Sequence, residues 1–200
     1  AKQLAGEIEK WQPRILGMTV MPGPQLHEAI PLVRVLREQF PELVIVWGGY
    51  FPSNHPETVL KSGYVDYVLR GTSEFSLPML VDAISEGKAA VDVPGVSYRT
   101  GESIVHQPAE KQLPDMDKLP AWPYHKLGDL NRYLGRSFLG DRTMAMHSSY
   151  GCPFKCSFCA VVPIFDGGWR GISGEKLADQ VEDLVGEHQI DAIEFCDNNF

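Results

Sequence analysis

The chain has 200 residues, of which 44% are apolar and 22% charged, a mix that builds a packed core rather than a disordered segment. Its formal charge of −8 excludes a surface that neutralises nucleic-acid phosphates, since that needs clustered Lys and Arg. No apolar run approaches the roughly 20 residues that span a bilayer, so a cytoplasmic protein of one large or two small domains is expected.

A polar, helix-forming segment comes first. The apolar run over 15–20 then reads as a buried strand, ended by Met21, Pro22, Gly23 and Pro24. Leu26, Ile30, Val33, Leu36 and Phe40 recur near helical spacing, with Pro31 expected to kink that helix or delay its start. Residues 43–47 form the next strand, followed by Gly48, Gly49 and Tyr50, and a short helix is expected from Pro56. Residues 65–69 read as a third strand closed by Gly71, and 74–85 as a helix carrying Phe75, Leu77, Leu80, Val81 and Ile84. Near-continuous apolar strands separated by helices predict a parallel sheet covered on both faces, a Rossmann-like α/β domain over 1–107. Ligands of such sheets bind beyond the carboxyl ends of the strands, where the loops 21–24, 48–50 and 70–73 converge. Gly48 and Gly49 there either admit a ligand close to the backbone or simply turn the chain.

Residues 96–106 read as a hairpin. Pro108, Pro114, Pro120 and Pro123 then punctuate a linker, 108–141, expected to run over the surface. Within it Trp122, Pro123 and Tyr124 either line a substrate entrance or pack against the next domain. The chain turns apolar again over 143–147, and Ser148, Ser149, Tyr150 and Gly151 lead into the cysteines. Beyond them Ser173 is a good N-cap, with Glu175 at the positive start of a helix. Leu177, Val181, Leu184 and Val185 make one apolar stripe of that helix, and 190–196 reads as a strand.

Three of the four cysteines, Cys152, Cys156 and Cys159, form a tight cluster in the sequence. Thiolates at these spacings reach three corners of an iron–sulfur cube and leave one iron without a protein ligand. A structural zinc site wants four Cys or His ligands, and His147, the nearest candidate, lies in an expected strand. So few cysteines, without a signal peptide, argue against a disulfide framework.

The Cys-x3-Cys-x2-Cys spacing, with Phe158 before the last cysteine, resembles the radical S-adenosylmethionine (SAM) enzymes. That resemblance implies a [4Fe–4S] cluster on Cys152, Cys156 and Cys159, with SAM chelated at the open iron. It also implies Phe158 beside the adenine of SAM and Asp197 or Asn198 near its methionine amino group, helix capping being the other role open to Asp197. Many relatives have Arg where this chain has Tyr150. Residues 17–21 and Trp47-Gly48-Gly49 are similar to two segments of cobalamin-binding domains, with Thr19 in place of that family's Ser. This second resemblance implies a cobalamin pocket at Thr19, Met21, Gly48, Gly49, Tyr50 and Gly71. The family's Asp-x-His-x-x-Gly loop has no match, which leaves the lower cobalt ligand open. His27 and His55 read as surface residues, and the first strand of such a domain is expected upstream of Ala1.

Together the resemblances imply a cobalamin-binding-type parallel-sheet domain followed by the start of a partial TIM-type (β/α)6 radical SAM barrel over 142–200. Two barrel strands leave open edges, so the sequence reads as part of a longer enzyme. The implied activity is reductive cleavage of SAM to a 5′-deoxyadenosyl radical, foremost in a cobalamin-dependent methyltransferase. Such an enzyme would act on a small molecule and be served by an electron donor such as flavodoxin or ferredoxin. An oxidative cyclase of the anaerobic Mg-protoporphyrin IX monomethyl ester type and a non-catalytic cobalamin or iron–sulfur carrier are the alternatives.

Overall fold

The computed structural model describes residues 2–90, 92–109 and 113–200. The chain divides into two units, Ala1–Lys111 and Gln112–Phe200. The first contains α1 (Lys2–Trp11), β1 (Ile15–Thr19), α2 (Pro24–Gln39), β2 (Val44–Gly48), α3 (Tyr50–Asn54), α4 (Pro56–Lys61), β3 (Tyr67–Leu69), α5 (Ser76–Ser85), β4 (Val96–Thr100) and β5 (Ser103–His106). The strands lie in the order β1-β2-β3-β4-β5. The first three are parallel, while β4 and β5 join antiparallel. The expected parallel sheet is therefore a mixed one. The hairpin has an apolar end of its own to bury, and Val96 and Ser97, both fully buried, dock it on β3.

The continuous apolar run of β2 is explained by what lies on its two faces. Ile45 and Trp47 pack with Val33 and Leu36 of α2 and Leu60 of α4, while Val46 packs with Leu80 of α5. A strand covered on both sides has no solvent face on which polar residues would be favoured. Helix α2 starts at Pro24 and is continuous through Pro31, so Pro31 does not delay its start. Pro31 and His27 are both exposed, so the carbonyl that loses its helical partner is open to water. At the amino ends of the strands Arg37 donates to the carbonyls of Pro41, Leu43 and Tyr64 and pairs with Asp66, which accepts from Ile45 N at 2.7 Å. These bonds fasten that end of the sheet and leave the carboxyl end to the loops.

The second unit opens with short 3-10 turns at Met116–Lys118, Tyr124–Leu127 and Leu130–Tyr133. They are followed by β6 (Thr143–Met146), β7 (Ser149–Gly151), α6 (Val162–Phe165), β8 (Trp169–Gly171), α7 (Gly174–His188) and β9 (Ala192–Phe195). Strands β6 and β9 pair in parallel with α7 between them in sequence, one β-α-β unit. Leu130, Met144, Met146, Leu184 and Ile190 form the core beneath. Ser173 caps α7 by accepting from Lys176 N at 3.3 Å.

The Pro-rich segment does not simply run over the surface. Met116 and Leu130 are buried. The Lys176 ammonium donates to the carbonyls of Met116, Asp117 and Leu119, and Asp117 accepts from Ser173 N at 2.9 Å. Isolated apolar residues among prolines carry no periodicity, which hid this docking from the sequence.

Candidate functional site

In the first unit, the β1–β2 register sets Thr19 opposite Gly48, so the strands end side by side. Val20 N donates to Gly48 O at 2.8 Å and Phe51 N to Val20 O at 3.2 Å, lacing the loops together. Gly71, at φ +78°, donates its N–H to Ser53 Oγ at 3.1 Å. Thr19, Met21, Gly48, Gly49, Tyr50 and Gly71 are thereby gathered at the carboxyl ends of β1, β2 and β3. His27 and His55 are exposed.

The two adjacent glycines differ. Gly49 has φ +94°, and a Cβ on it would come within 3.0 Å of Thr19 Cγ2 and 3.2 Å of Val20 N and O. On Gly48 the nearest atoms to a Cβ are Leu69 O at 3.7 Å and Ser73 Oγ at 4.0 Å. The fold itself requires glycine at 49, and at 48 it does not.

Sequence reasoning passed over Glu74 and Arg70 at this end. Glu74, in the loop between β3 and α5, has a buried Oε2 with no hydrogen-bond partner among the described residues. An acceptor buried without a donor is costly, so the loop suits a ligand that supplies one. Arg70 donates to the Gln107 carbonyl, and burial pulls its guanidinium pKa down. Single charged residues in a loop give no pattern to read.

In the second unit, the cysteine loop is closed by protein contacts at its base. Strands β7 and β8 pair antiparallel, with Ser149 opposite Gly171 and Gly151 opposite Trp169. Cys152 N donates to Gly168 O at 3.0 Å. Gly151 is buried at φ +81°, and a Cβ there would lie 2.1 Å from Gly168 O. Cys152 and Cys159 are partly buried, Cys156 is exposed, and all three are free thiols. Cys159 N donates to Cys156 O at 3.1 Å, turning the chain between them. Lys155 pairs with Asp166 at 2.8 Å, and that hydrogen bond holds the Asp166 carboxyl below the usual range. Phe158 is 90% exposed, a ring held out from the protein.

Among the described residues no three His, Cys, Asp or Glu side chains converge where one metal ion could sit. Thiolates that each take a different iron of a cubane need no common point, and soft sulfur ligands suit such a cluster. The three thiols fit that group. Cys196 is exposed just beyond β9. Next to it Asp197 accepts from the backbone N–H and hydroxyl groups of Ser148 and Ser149. Asn198 is exposed beside it. Trp122, Pro123 and Tyr124 line an apolar cavity of about 380 Å³, together with Leu127, Met144 and Met146.

Residues 1–81, within the first unit, match the family described as the B12 binding domain. The chain is also similar, over most of its length, to several longer proteins. It is 29% identical over 198 residues to an uncharacterized methyltransferase of Pyrococcus horikoshii, covering 98% of this chain and 42% of the relative. It is 29% identical over 170 residues to the anaerobic magnesium-protoporphyrin IX monomethyl ester cyclase of Synechocystis, covering 84% of this chain and 33% of the relative. A solved structure of the cobalamin-dependent S-adenosylmethionine radical enzyme OxsB, with aqua-cobalamin and S-adenosylmethionine bound, has the same fold. It matches with a TM-score of 0.76 at 22% identity, over 100% of this chain and 27% of that one. The chain thus spans between about a quarter and two fifths of the length of these proteins. No helix among the described residues is long and apolar enough to cross a membrane.

Proposed function

We propose that this chain is the cofactor-holding part of a cobalamin-dependent radical SAM methyltransferase acting on a small molecule. The observation that carries the reading is the closed loop presenting three free thiols, Cys152, Cys156 and Cys159. The B12 binding domain match over residues 1–81 supports the cobalamin half. The residues that would hold cobalamin are Thr19, Met21, Gly48, Gly49, Tyr50 and Gly71, with the unpartnered Glu74 oxygen beside them. The cysteines would hold a [4Fe–4S] cluster, with Phe158 exposed to stack on the adenine of SAM. When bound, these groups supply reductive cleavage of SAM to a carbon radical and a carrier for the methyl group. The protein's own contribution is to fix the thiols in a closed loop and to hold each group on a rigid sheet end. An electron donor such as flavodoxin or ferredoxin is part of the reading.

The similarity to a magnesium-protoporphyrin ester cyclase keeps an oxidative cyclisation as the second reading. Turnover with SAM labelled in its methyl group separates the two. Label recovered in the product is the outcome of methyl transfer, and an oxidised, unlabelled product is that of the cyclase. A purified protein with stoichiometric zinc and no labile sulfide would sink both.

A further inference from the structure

The carboxylate of Asp197 is held by the protein at both oxygens, most heavily at Oδ1. An ionised carboxylate has about four lone-pair sites. Oδ1 accepts from Ser148 N at 2.9 Å, Ser149 N at 2.6 Å and Ser149 Oγ at 2.9 Å, and Oδ2 accepts from Ser148 Oγ at 2.9 Å. The next residue but one extends the tie, because the Asn199 carbonyl accepts from Ser149 Oγ at 3.1 Å and from Trp169 Nε1 at 2.9 Å. Ser149 has a single hydroxyl proton, which Asp197 and Asn199 share. The end of β9 therefore grips both arms of the hairpin that closes the cysteine loop, β7 through Ser149 and β8 through Trp169. Three residues after Ser149 comes Cys152.

We infer that Asp197 is a positioning residue for the cysteine loop, and that it does not meet the ammonium group of SAM. The inference rests on the radical SAM reading above. A SAM ammonium meeting Oδ1 would have to displace serine donors already in place, and Oδ2 already accepts from Ser148 Oγ. Two backbone N–H groups, the Ser148 hydroxyl and a shared Ser149 proton already stabilise the charge. Residues standing behind metal ligands fix their orientation, and their loss weakens metal binding about 10- to 100-fold.

The test uses the protein reconstituted without oxygen with iron and sulfide, and the variants Asp197→Asn, Asp197→Ala and Ser149→Ala. For each, the melting temperature, the rate at which a chelator removes iron, and SAM affinity by equilibrium dialysis are measured. The Asn side chain keeps an oxygen for the two N–H donors, and its amide can donate to Ser148 Oγ. Asp197→Asn is therefore expected to keep iron and to bind SAM within about threefold of the wild type. Asp197→Ala and Ser149→Ala are expected to lose iron about tenfold faster or more. A direct contact predicts the reverse pattern. Asp197→Asn would then keep its cluster and bind SAM about tenfold more weakly, having lost an ion pair, and Ser149→Ala would be silent. Either that pattern or equal iron loss in all proteins overturns the inference. If Asp197→Ala does not fold, the Asn and Ser149 variants decide. A wild type without labile sulfide overturns the radical SAM reading itself, which is seen before any variant is made.

Discussion

At the scale of single residues, the two glycines after β2 make a matched pair of probes. Gly49→Ala forces a side chain into a positive-φ backbone and against Thr19 and Val20. It should cost about 1–3 kcal/mol of stability whether or not a ligand binds, read as a lower melting temperature. Gly48→Ala meets only ordinary contacts in the protein. Its melting temperature should stay at the wild-type value, while corrinoid retained from cobalamin-supplied cells falls. Full corrinoid retention by Gly48→Ala would show that no ligand approaches there. Gly151→Ala belongs with Gly49→Ala, but its conflict is with Gly168 O, a backbone atom that cannot swing aside. We expect it to open the base of the cysteine loop and abolish labile sulfide while the first unit keeps its fold, measured by sulfide analysis and limited proteolysis.

At the scale of elements, the docking of the Pro-rich segment on α7 depends on two side chains, Asp117 and Lys176. The N–H of Ser173, bonded to its carboxylate, holds the Asp117 pKa below the usual range. A carboxyl lowered in the folded state stabilises the fold above its unfolded pKa, and that contribution disappears as pH falls through the lower folded value. Docking should therefore be complete at neutral pH and weaken only in acid. Asp117→Asn should flatten this part of the pH dependence of urea unfolding. Lys176→Ala, which strands three carbonyls, should raise protease cutting near 116–119 at every pH.

Legibility followed the same division. Strands β1 to β3 could be read because each lies in a near-continuous apolar run bounded by loops or helix, and α7 because its stripe and Ser173 cap agree. The cysteine set could be read because its spacing is local. Strands β7 and β8 have three residues each, too short for any pattern. The bond from Ser149 to Asp197 joins residues 48 apart, and nothing in sequence links a serine pair to a distant aspartate. Of the apolar residues that marked helix α5, Leu80 and Ile84 meet the core, while Phe75 and Leu77 are exposed. Apolarity named the helix but did not say how much of it the sheet could cover.

At the scale of the molecule, the candidate cobalamin and cluster residues lie in separate units, Ala1–Lys111 and Gln112–Phe200. Their losses should be separable as well. Cys156→Ala is expected to remove the cluster's iron and sulfide and to leave corrinoid content unchanged, measured on one preparation by cobalt and sulfide analysis. Joint loss of cobalt and sulfide would mean that the two halves fold only together.

The closed base of the cysteine loop bears on how such a protein survives air. Its ends are joined by strand pairing and by the hydrogen bond from Cys152 N to Gly168 O, so the entropy of closing the loop is met during folding. In a zinc finger the metal supplies the folding energy, and stripping it unmakes the domain. On the proposed reading, oxygen that stripped the iron would leave the empty bracket standing, with Cys156 its exposed thiol. Damage would then be a repairable loss of cargo, and the polypeptide need not be made again.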